Sequence, residues 1–314
     1  MFSSSPRSSG SPPPGGFGEA RLPLTTLSEF PEPPLKEGFI SIEGAFNPKE
    51  VEALRQITEQ TTILHELEKR RYQERTVHLI PLTIRHDAFK NLACDPRITQ
   101  RVAKLIGDDV QLVNSKLATK PKKKGAGGFD WHQDFAYYTH TNFDLVTVAL
   151  GLDDVSPENG GMVAVRGSHT VGVLDHTRSG WMIGACVEKN YWEDHPEKVV
   201  PLQVKQGGIT IHHCLTLHSS PVNLSGMPRR LIVFQYRAGH SYQLADNVWE
   251  DTGFQVHGTP TGRVRCVPIE VVLPKSRDWE RYCGEPHGSV YRQIGSYARL
   301  WNEEKGRSAT WNKK

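Results

Sequence analysis

The rhythm of apolar and polar positions changes twice along this chain. Over residues 1–34 no period holds: the segment is rich in Ser, Pro and Gly and carries no apolar run. That predicts a flexible, low-complexity leader and argues against a secretory signal. Order is expected to begin at Gly38-Phe39-Ile40-Ser41-Ile42, whose alternation reads as a short strand. A helix follows at Asn47-Pro48-Lys49-Glu50, where Asn can cap, Pro suits the first helical position, and Glu can close a capping box. Val51, Leu54 and Ile57 give it one apolar stripe. A second helix is predicted from Asp95 to a Gly107 stop, with Ile98, Val102 and Leu105 inward.

From Val110 onward the period falls to two. Strands are predicted over 111–120, 145–152, 162–165, 199–205, 209–217 and 230–236, and Glu158-Asn159-Gly160-Gly161 marks a tight turn. Short strands with such punctuation predict a mostly β antiparallel sandwich or barrel with flanking helices, as one domain over 35–314. Residues 174–198 break the rhythm with Trp181, Met182, Tyr191 and Trp192 among charged residues. That segment reads either as a lid insertion or as a surface excursion with its own small core. The aromatics beyond residue 240, from Trp249 to Trp301, read as core packing ahead of substrate wall.

Composition narrows the function classes. With 314 residues, 37% hydrophobic and 23% charged, the chain can bury a sizeable core, as one large domain or two modest ones. A net charge of +3 offers no concentrated basic face for nucleic acid. No window approaches the roughly 18 apolar residues of a spanning helix. Five scattered cysteines without CxxC spacing suit reduced thiols, and the C-terminal Trp311-Asn312-Lys313-Lys314 is not a peroxisomal address. The expectation is a cytoplasmic protein acting on a small molecule, without nucleic acid or membrane, and compatible with a homo-oligomer.

Candidate chemistry lies in His132-Gln133-Asp134, in His218 84 residues after Asp134, and in Arg229 eleven beyond that. Two imidazoles and one carboxylate leave half of an octahedron free, as in non-heme Fe(II) oxygenases. On a strand, His-x-Asp places both side chains on one face. His195-Pro196-Glu197 shares the spacing but sits in a polar stretch without strand character. His212, His213 and His218 compete as third ligand. Along one extended strand His213 would face away from His218, and His212 would stand about 20 Å from it. The polar turn at 219–223 places His218 at a strand end, so His212 and His213 are expected to be structural. The run Lys122-Lys123-Lys124 reads as a solvated loop first and as a steering patch for an anionic substrate second.

Four segments taken together resemble the phytanoyl-CoA dioxygenase (PhyH) family: Trp131-His132-Gln133-Asp134, Glu158-Asn159-Gly160-Gly161, Arg166-Gly167-Ser168-His169, and His218-Ser219-Ser220-Pro221-Val222-Asn223-Leu224-Ser225 followed by Arg229-Arg230. With the N-terminal helix region the similarity spans about two-thirds of the chain. The resemblance implies a double-stranded β-helix (a cupin-like jelly roll), Fe(II), 2-oxoglutarate as co-substrate, and O2. It implies that His132, Asp134 and His218 hold the metal and that Arg229 binds the distal carboxylate of 2-oxoglutarate. It also brings Lys120, Gln133 and Ser220 to co-substrate positions and leaves His213 off the metal. The implied activity is C–H oxidation of a small molecule, typically hydroxylation, in secondary or specialised metabolism, with release of succinate and CO2. Asp134 favours that outcome over halogenation, since related halogenating enzymes lack the carboxylate. A metal hydrolase and a non-catalytic metal-binding jelly roll are the alternatives; neither gives Arg229 a task.

Overall fold

The computed structural model describes residues 35–70, 76–125, 127–178 and 181–273. The leader over 1–34 and the aromatic tail beyond 273 lie outside these residues. In chain order the elements begin with β1 (Phe39–Ile42), α1 (Pro48–Thr58), α2 (Thr61–Lys69), β2 (Val77–Leu79), α3 (Asp87–Ala93) and α4 (Pro96–Ile106). Then come β3 (Val110–Lys120), β4 (Phe129–His132), α5 (Asp134–Tyr137), β5 (Leu145–Gly151), β6 (Val163–Val165), β7 (Thr177–Arg178), β8 (Trp181–Met182) and α6 (Asn190–Glu193). The last are β9 (Val199–Pro201), β10 (Ile209–His213), β11 (His218–Ser220), β12 (Arg229–Ala238) and β13 (Gln255–His257). No helix among them is long and apolar enough to cross a membrane, and Cys94, Cys186, Cys214 and Cys266 are unpaired.

Two antiparallel sheets carry the architecture. The larger runs β1-β10-β5-β12-β3-β13, with β2 also paired to β3; the smaller runs β4-β11-β6-β9. Strand period fixes which face each residue serves. On β12, Ile232 and Phe234 point to the helices, where they join Leu117, Val148, Leu150, Ile209 and Ile211 against Val51, Leu54, Phe89, Ile98 and Val102. Leu231 and Val233 point the other way, with Ala118, Ala149, Val155 and Val204. Each such buried side chain contributes about 1.5–3 kcal/mol. Both faces of β5 are covered, so every residue of Leu145–Gly151 is buried.

The helices that close the outer face start where their caps dictate. Asn47 accepts from the amides of Lys49 and Glu50 at 3.0 and 3.1 Å, and the Glu50 carboxylate accepts from the Asn47 amide at 2.8 Å. Asp95 caps α4 through the Arg97 amide at 2.8 Å. Gly107, at φ +98, ends α4 in a conformation that L side chains rarely adopt. The helices α2 and α3 and strands β2, β4 and β13 go beyond the expected elements.

Two strand expectations need correction. The segment 199–205 is a strand only over Val199–Pro201; beyond it Val204 makes a single bridge to Val155 before the chain turns at Gly207. More consequentially, 209–217 is not one strand. The Thr216 amide bonds back to the His213 carbonyl at 2.9 Å, and the chain leaves the large sheet after β10 to enter the small sheet as β11. This bend brings His212 and His218 together.

Candidate active site

The two imidazoles owe their position to strand pairing. In the small sheet β4 lies beside β11 with His132 directly opposite His218, and their rings stand 4.2 Å apart. His132 ends β4 and Asp134 opens α5, so the pair spans a strand-to-helix junction and does not lie on one strand as expected. The face-sharing survives because Gln133 between them keeps an extended backbone, φ −107 and ψ 133. Asp134 Oδ1 lies 4.0 Å from His132 Nε2 and 3.9 Å from His218 Nε2. The three donor atoms all fall within 4.8 Å of one another, in buried surroundings. His195 and Glu197, the competing pair, form an exposed ion pair at 3.4 Å.

Each donor is oriented by a second bond. His132 Nδ1 is 2.8 Å from the Asp130 carbonyl, and His218 Nδ1 is 2.9 Å from the Thr216 carbonyl. A carbonyl can only accept, so both Nδ1 atoms donate and both Nε2 lone pairs face the cluster. Burial holds both imidazoles below their usual range. Asp134 Oδ2 accepts from the Thr147 hydroxyl at 2.6 Å and from His212 Nε2 at 3.1 Å, which leaves Oδ1 for the cluster. Burial raises the Asp134 pKa, but the His212 hydrogen bond, with neighbouring charges, outweighs it and holds the carboxyl well below its usual range. The donor set therefore fits a divalent metal with open positions.

His212 thus departs from the expectation that it stands far from His218. Its ring lies 4.5 Å from that of His218, because the strand breaks between them. His213 faces the other way, toward His169 at 5.8 Å. Replacing His212 by Ala or Thr147 by Val releases Oδ2 and is expected to weaken metal affinity by about 10–100-fold. A metal titration of the two variants checks this.

The triad opens into a cleft of about 610 Å³, counting its mouth and the solvent it opens to. Arg229 lines it. This guanidinium is only 2% exposed, and its Nε has no hydrogen-bond partner among the described residues. Burial lowers its pKa to about 10, partly offset by Asp153, so it stays cationic at neutral pH. A buried cation without a bonded anion fits an anionic co-substrate. Arg230, one residue on, faces away and binds the Asp153 carboxylate at 2.9 and 3.0 Å and Glu59 at 3.0 Å.

Lys120 pairs in register with Arg229. Its Nζ donates to the carbonyls of Ser220 (3.3 Å) and Pro221. Burial, then Arg229, pushes its pKa down to about 6. The Glu158-Asn159-Gly160-Gly161 turn makes room for it: a Cβ on Gly160 would meet Lys120 Nζ at 2.7 Å. Ser220 also lines the cleft, its hydroxyl donating to the Gly160 carbonyl at 2.8 Å.

Gln133 is placed elsewhere. Its amide nitrogen donates to the carbonyls of Gly172 and Leu215 at 2.9 and 2.8 Å, and its oxygen accepts from the Leu174 amide at 2.8 Å. All this side chain's bonding goes to backbone, and it does not line the cleft. Gln133→Leu is therefore expected to cost about 1–3 kcal/mol of stability while leaving the 2-oxoglutarate KM of the surviving folded protein unchanged. Urea unfolding alongside kinetics separates the two.

The described residues of 174–198 are anchored against β4, the strand that carries His132. Trp192 stacks on Trp131 at 5.3 Å, the Cys186 amide donates to the Trp131 carbonyl at 2.7 Å, and the Tyr137 hydroxyl donates to the Gly184 carbonyl at 2.6 Å. Tyr191 and Trp192 pack with Val165, Leu174, Cys186 and Leu217. The described side chains of this segment pack against residues outside it, including Val165, Leu217 and Trp131, and none lines the cleft. Lys122, Lys123 and Lys124 are exposed, in a loop that Asn223 ties down through the Pro121 carbonyl at 2.8 Å.

Comparison with known proteins agrees with this geometry. The phytanoyl-CoA dioxygenase (PhyH) family model matches residues 35–231, and the chain belongs to that family of Fe(II)- and 2-oxoglutarate-dependent dioxygenases. A relative in Stutzerimonas stutzeri, a probable alpha-ketoglutarate-dependent hypophosphite dioxygenase, is 28% identical over 258 residues, covering 76% of this chain and 89% of its own. A methylphosphonate hydroxylase of Gimesia maris is 25% identical over 166 residues, covering 53% and 60%. Among solved structures, the alpha-ketoglutarate-dependent carbocyclase SnoK from nogalamycin biosynthesis shares the fold at a TM-score of 0.57 and 21% identity, over 71% of this chain and 91% of its own.

Proposed function

We propose that this dioxygenase holds Fe(II) through His132, Asp134 and His218, holds 2-oxoglutarate through Arg229, and oxidises a C–H bond of a small polar metabolite. The observation that carries the reading is Arg229: a buried guanidinium whose Nε has no hydrogen-bond partner among the described residues, lining the same cleft as the triad. When bound, iron and 2-oxoglutarate supply the oxidising chemistry, with O2 consumed and succinate and CO2 released. The chain's own residues bind, orient and exclude. The carbonyls of Asp130 and Thr216 set the imidazole tautomers. Thr147 and His212 fix which carboxylate oxygen faces the metal. Arg229 offers a planar, charge-assisted fork to the distal carboxylate, and Lys120 and Ser220 stand beside it. Ala118, Met162, Leu231 and Val233 give the cleft an apolar wall that limits water near the reacting centre.

Two relatives are named for oxidising hypophosphite and hydroxylating methylphosphonate, which supports a compact polar substrate over a long acyl chain. A specialised metabolic role is part of the same proposal. The test is a screen of small metabolites with Fe(II), 2-oxoglutarate and O2, reading succinate together with gain of one oxygen or loss of two hydrogens in the substrate. Succinate formation coupled to one compound supports the reading. Turnover of a compound by hydrolysis, independent of 2-oxoglutarate, overturns it.

A further inference from the structure

The cleft holds a second buried cation that the metal and co-substrate leave unused. Lys116 lies on β3 opposite Val233 of β12, four register pairs from the Lys120–Arg229 pair. It lines the cleft at 8% exposure. Among the described residues, none accepts a hydrogen bond from its Nζ and none forms an ion pair with it. Its Nζ lies over the Tyr138 ring, 5.9 Å from the centroid. Lys120 by contrast is tied to two backbone carbonyls. Ala118 and Val233, on the same wall, provide no acceptor side chain.

Asp134 is the one carboxylate among the residues lining the cleft, and it is already engaged. Its Oδ2 belongs to Thr147 and His212 and its Oδ1 faces the imidazoles. With the site loaded, the charges of ferrous iron and the 2-oxoglutarate dianion cancel, as do those of Asp134 and Arg229. The Lys120 ammonium is committed to the carbonyls of Ser220 and Pro221. Lys116 is left over. Burying an ammonium without a partner is costly, and burial accordingly pulls the Lys116 pKa down; an anion bound in the cleft would supply the missing partner. Four residues along an extended strand put its Cα about 13 Å from that of Lys120. The leftover cation is therefore remote from the Arg229 end of the wall.

We infer that Lys116 is the substrate-binding residue of this site, and that the substrate is a small molecule whose carboxylate, phosphonate or sulfonate group rests on the Lys116 ammonium. The inference depends on the metal and co-substrate assignment above. The substrate's anionic group fixes which of its C–H bonds meets the oxidant, so Lys116 sets specificity and orientation.

The test loads the full-length protein with Mn(II) and 2-oxoglutarate and titrates it calorimetrically. The probes are short-chain carboxylates, phosphonates and sulfonates, with the matching neutral amides and alcohols. At least one anion series is expected to bind and its neutral counterparts to fail. Lys116→Met should weaken that binding by about 30-fold or more, with Lys116→Arg retaining part of it and the 2-oxoglutarate affinity unchanged in both. The unloaded Lys116→Met protein should melt no lower than the parent, since an unpaired buried charge has been removed. The inference is overturned if no anion binds, if neutral analogues bind equally, or if Lys116→Met keeps the anion. It is also overturned if that variant loses 2-oxoglutarate in parallel or melts lower. Failure of Mn(II) and 2-oxoglutarate to assemble on the parent protein would instead refute the site assignment beneath it.

Discussion

His218→Ala is expected to remove Fe(II) binding and, with it, all 2-oxoglutarate turnover. In the proposed metal centre the imidazole supplies one of the three donors found among the described residues, and at 4% exposure it is closed off from solvent-facing side chains. It is also the register partner of His132, so its loss opens a cavity beside the second ligand. His132→Ala and Asp134→Ala should behave alike, each lowering metal affinity by more than the roughly 10–100-fold that the loss of an orienting partner costs. His195→Ala, in its exposed ion pair, and His213→Ala, on the far side of β10, should bind metal normally. Metal titration followed by a succinate assay ranks these variants. Full turnover in His218→Ala with loss in His213→Ala would move the third ligand.

Arg229→Gln is expected to raise the 2-oxoglutarate KM by the equivalent of about 2–5 kcal/mol, or about 30-fold to several thousand-fold. A glutamine at that position leaves the distal carboxylate without its charged partner inside the cleft. Arg229→Lys should recover only part of the loss, since a point ammonium lacks the bidentate fork. Arg230→Gln breaks the bonds to Asp153 and Glu59. Its side chain is 22% exposed, so the cost falls in the range of partly solvated ion pairs, about 0.2–1 kcal/mol of stability, without a change in KM. A larger KM defect in Arg230→Gln than in Arg229→Gln would contradict the placement of the two side chains.

Where the chain follows one period, its reading came close to the structure. On an extended β12, adjacent residues take opposite faces, which separates Arg229 from Arg230. The α1 start was legible because Asn47, Pro48 and Glu50 each have a local physical task. His132, Asp134 and His218 stood out by residue type and spacing. The failures share another cause. The break after His213 carries no Gly or Pro, since Cys214-Leu215-Thr216-Leu217 is as apolar as a strand; only the switch between sheets shows that His212 returns to the site. The parity argument was sound and the assumption of a straight strand was not. Gln133 sits between two ligands in sequence, yet the extended backbone that turns His132 and Asp134 inward turns Gln133 out to the carbonyls of Gly172 and Leu215. Lys116 shares strand parity with Lys120, so the face it serves was legible. What no local pattern shows is that Asp134, the one carboxylate lining the cleft, is already engaged by Thr147 and His212.

The most direct measurement of the central claim is an anaerobic titration of the protein with Fe(II) and 2-oxoglutarate, followed in the visible region. Iron and the 2-oxo acid give a metal-to-ligand charge-transfer band only when both bind the same centre. The structure predicts a band that saturates with one iron per chain in the parent protein, that is absent in His218→Ala, and that needs far more 2-oxoglutarate in Arg229→Gln. Iron binding without any band on addition of 2-oxoglutarate, or a band indifferent to both substitutions, would contradict it.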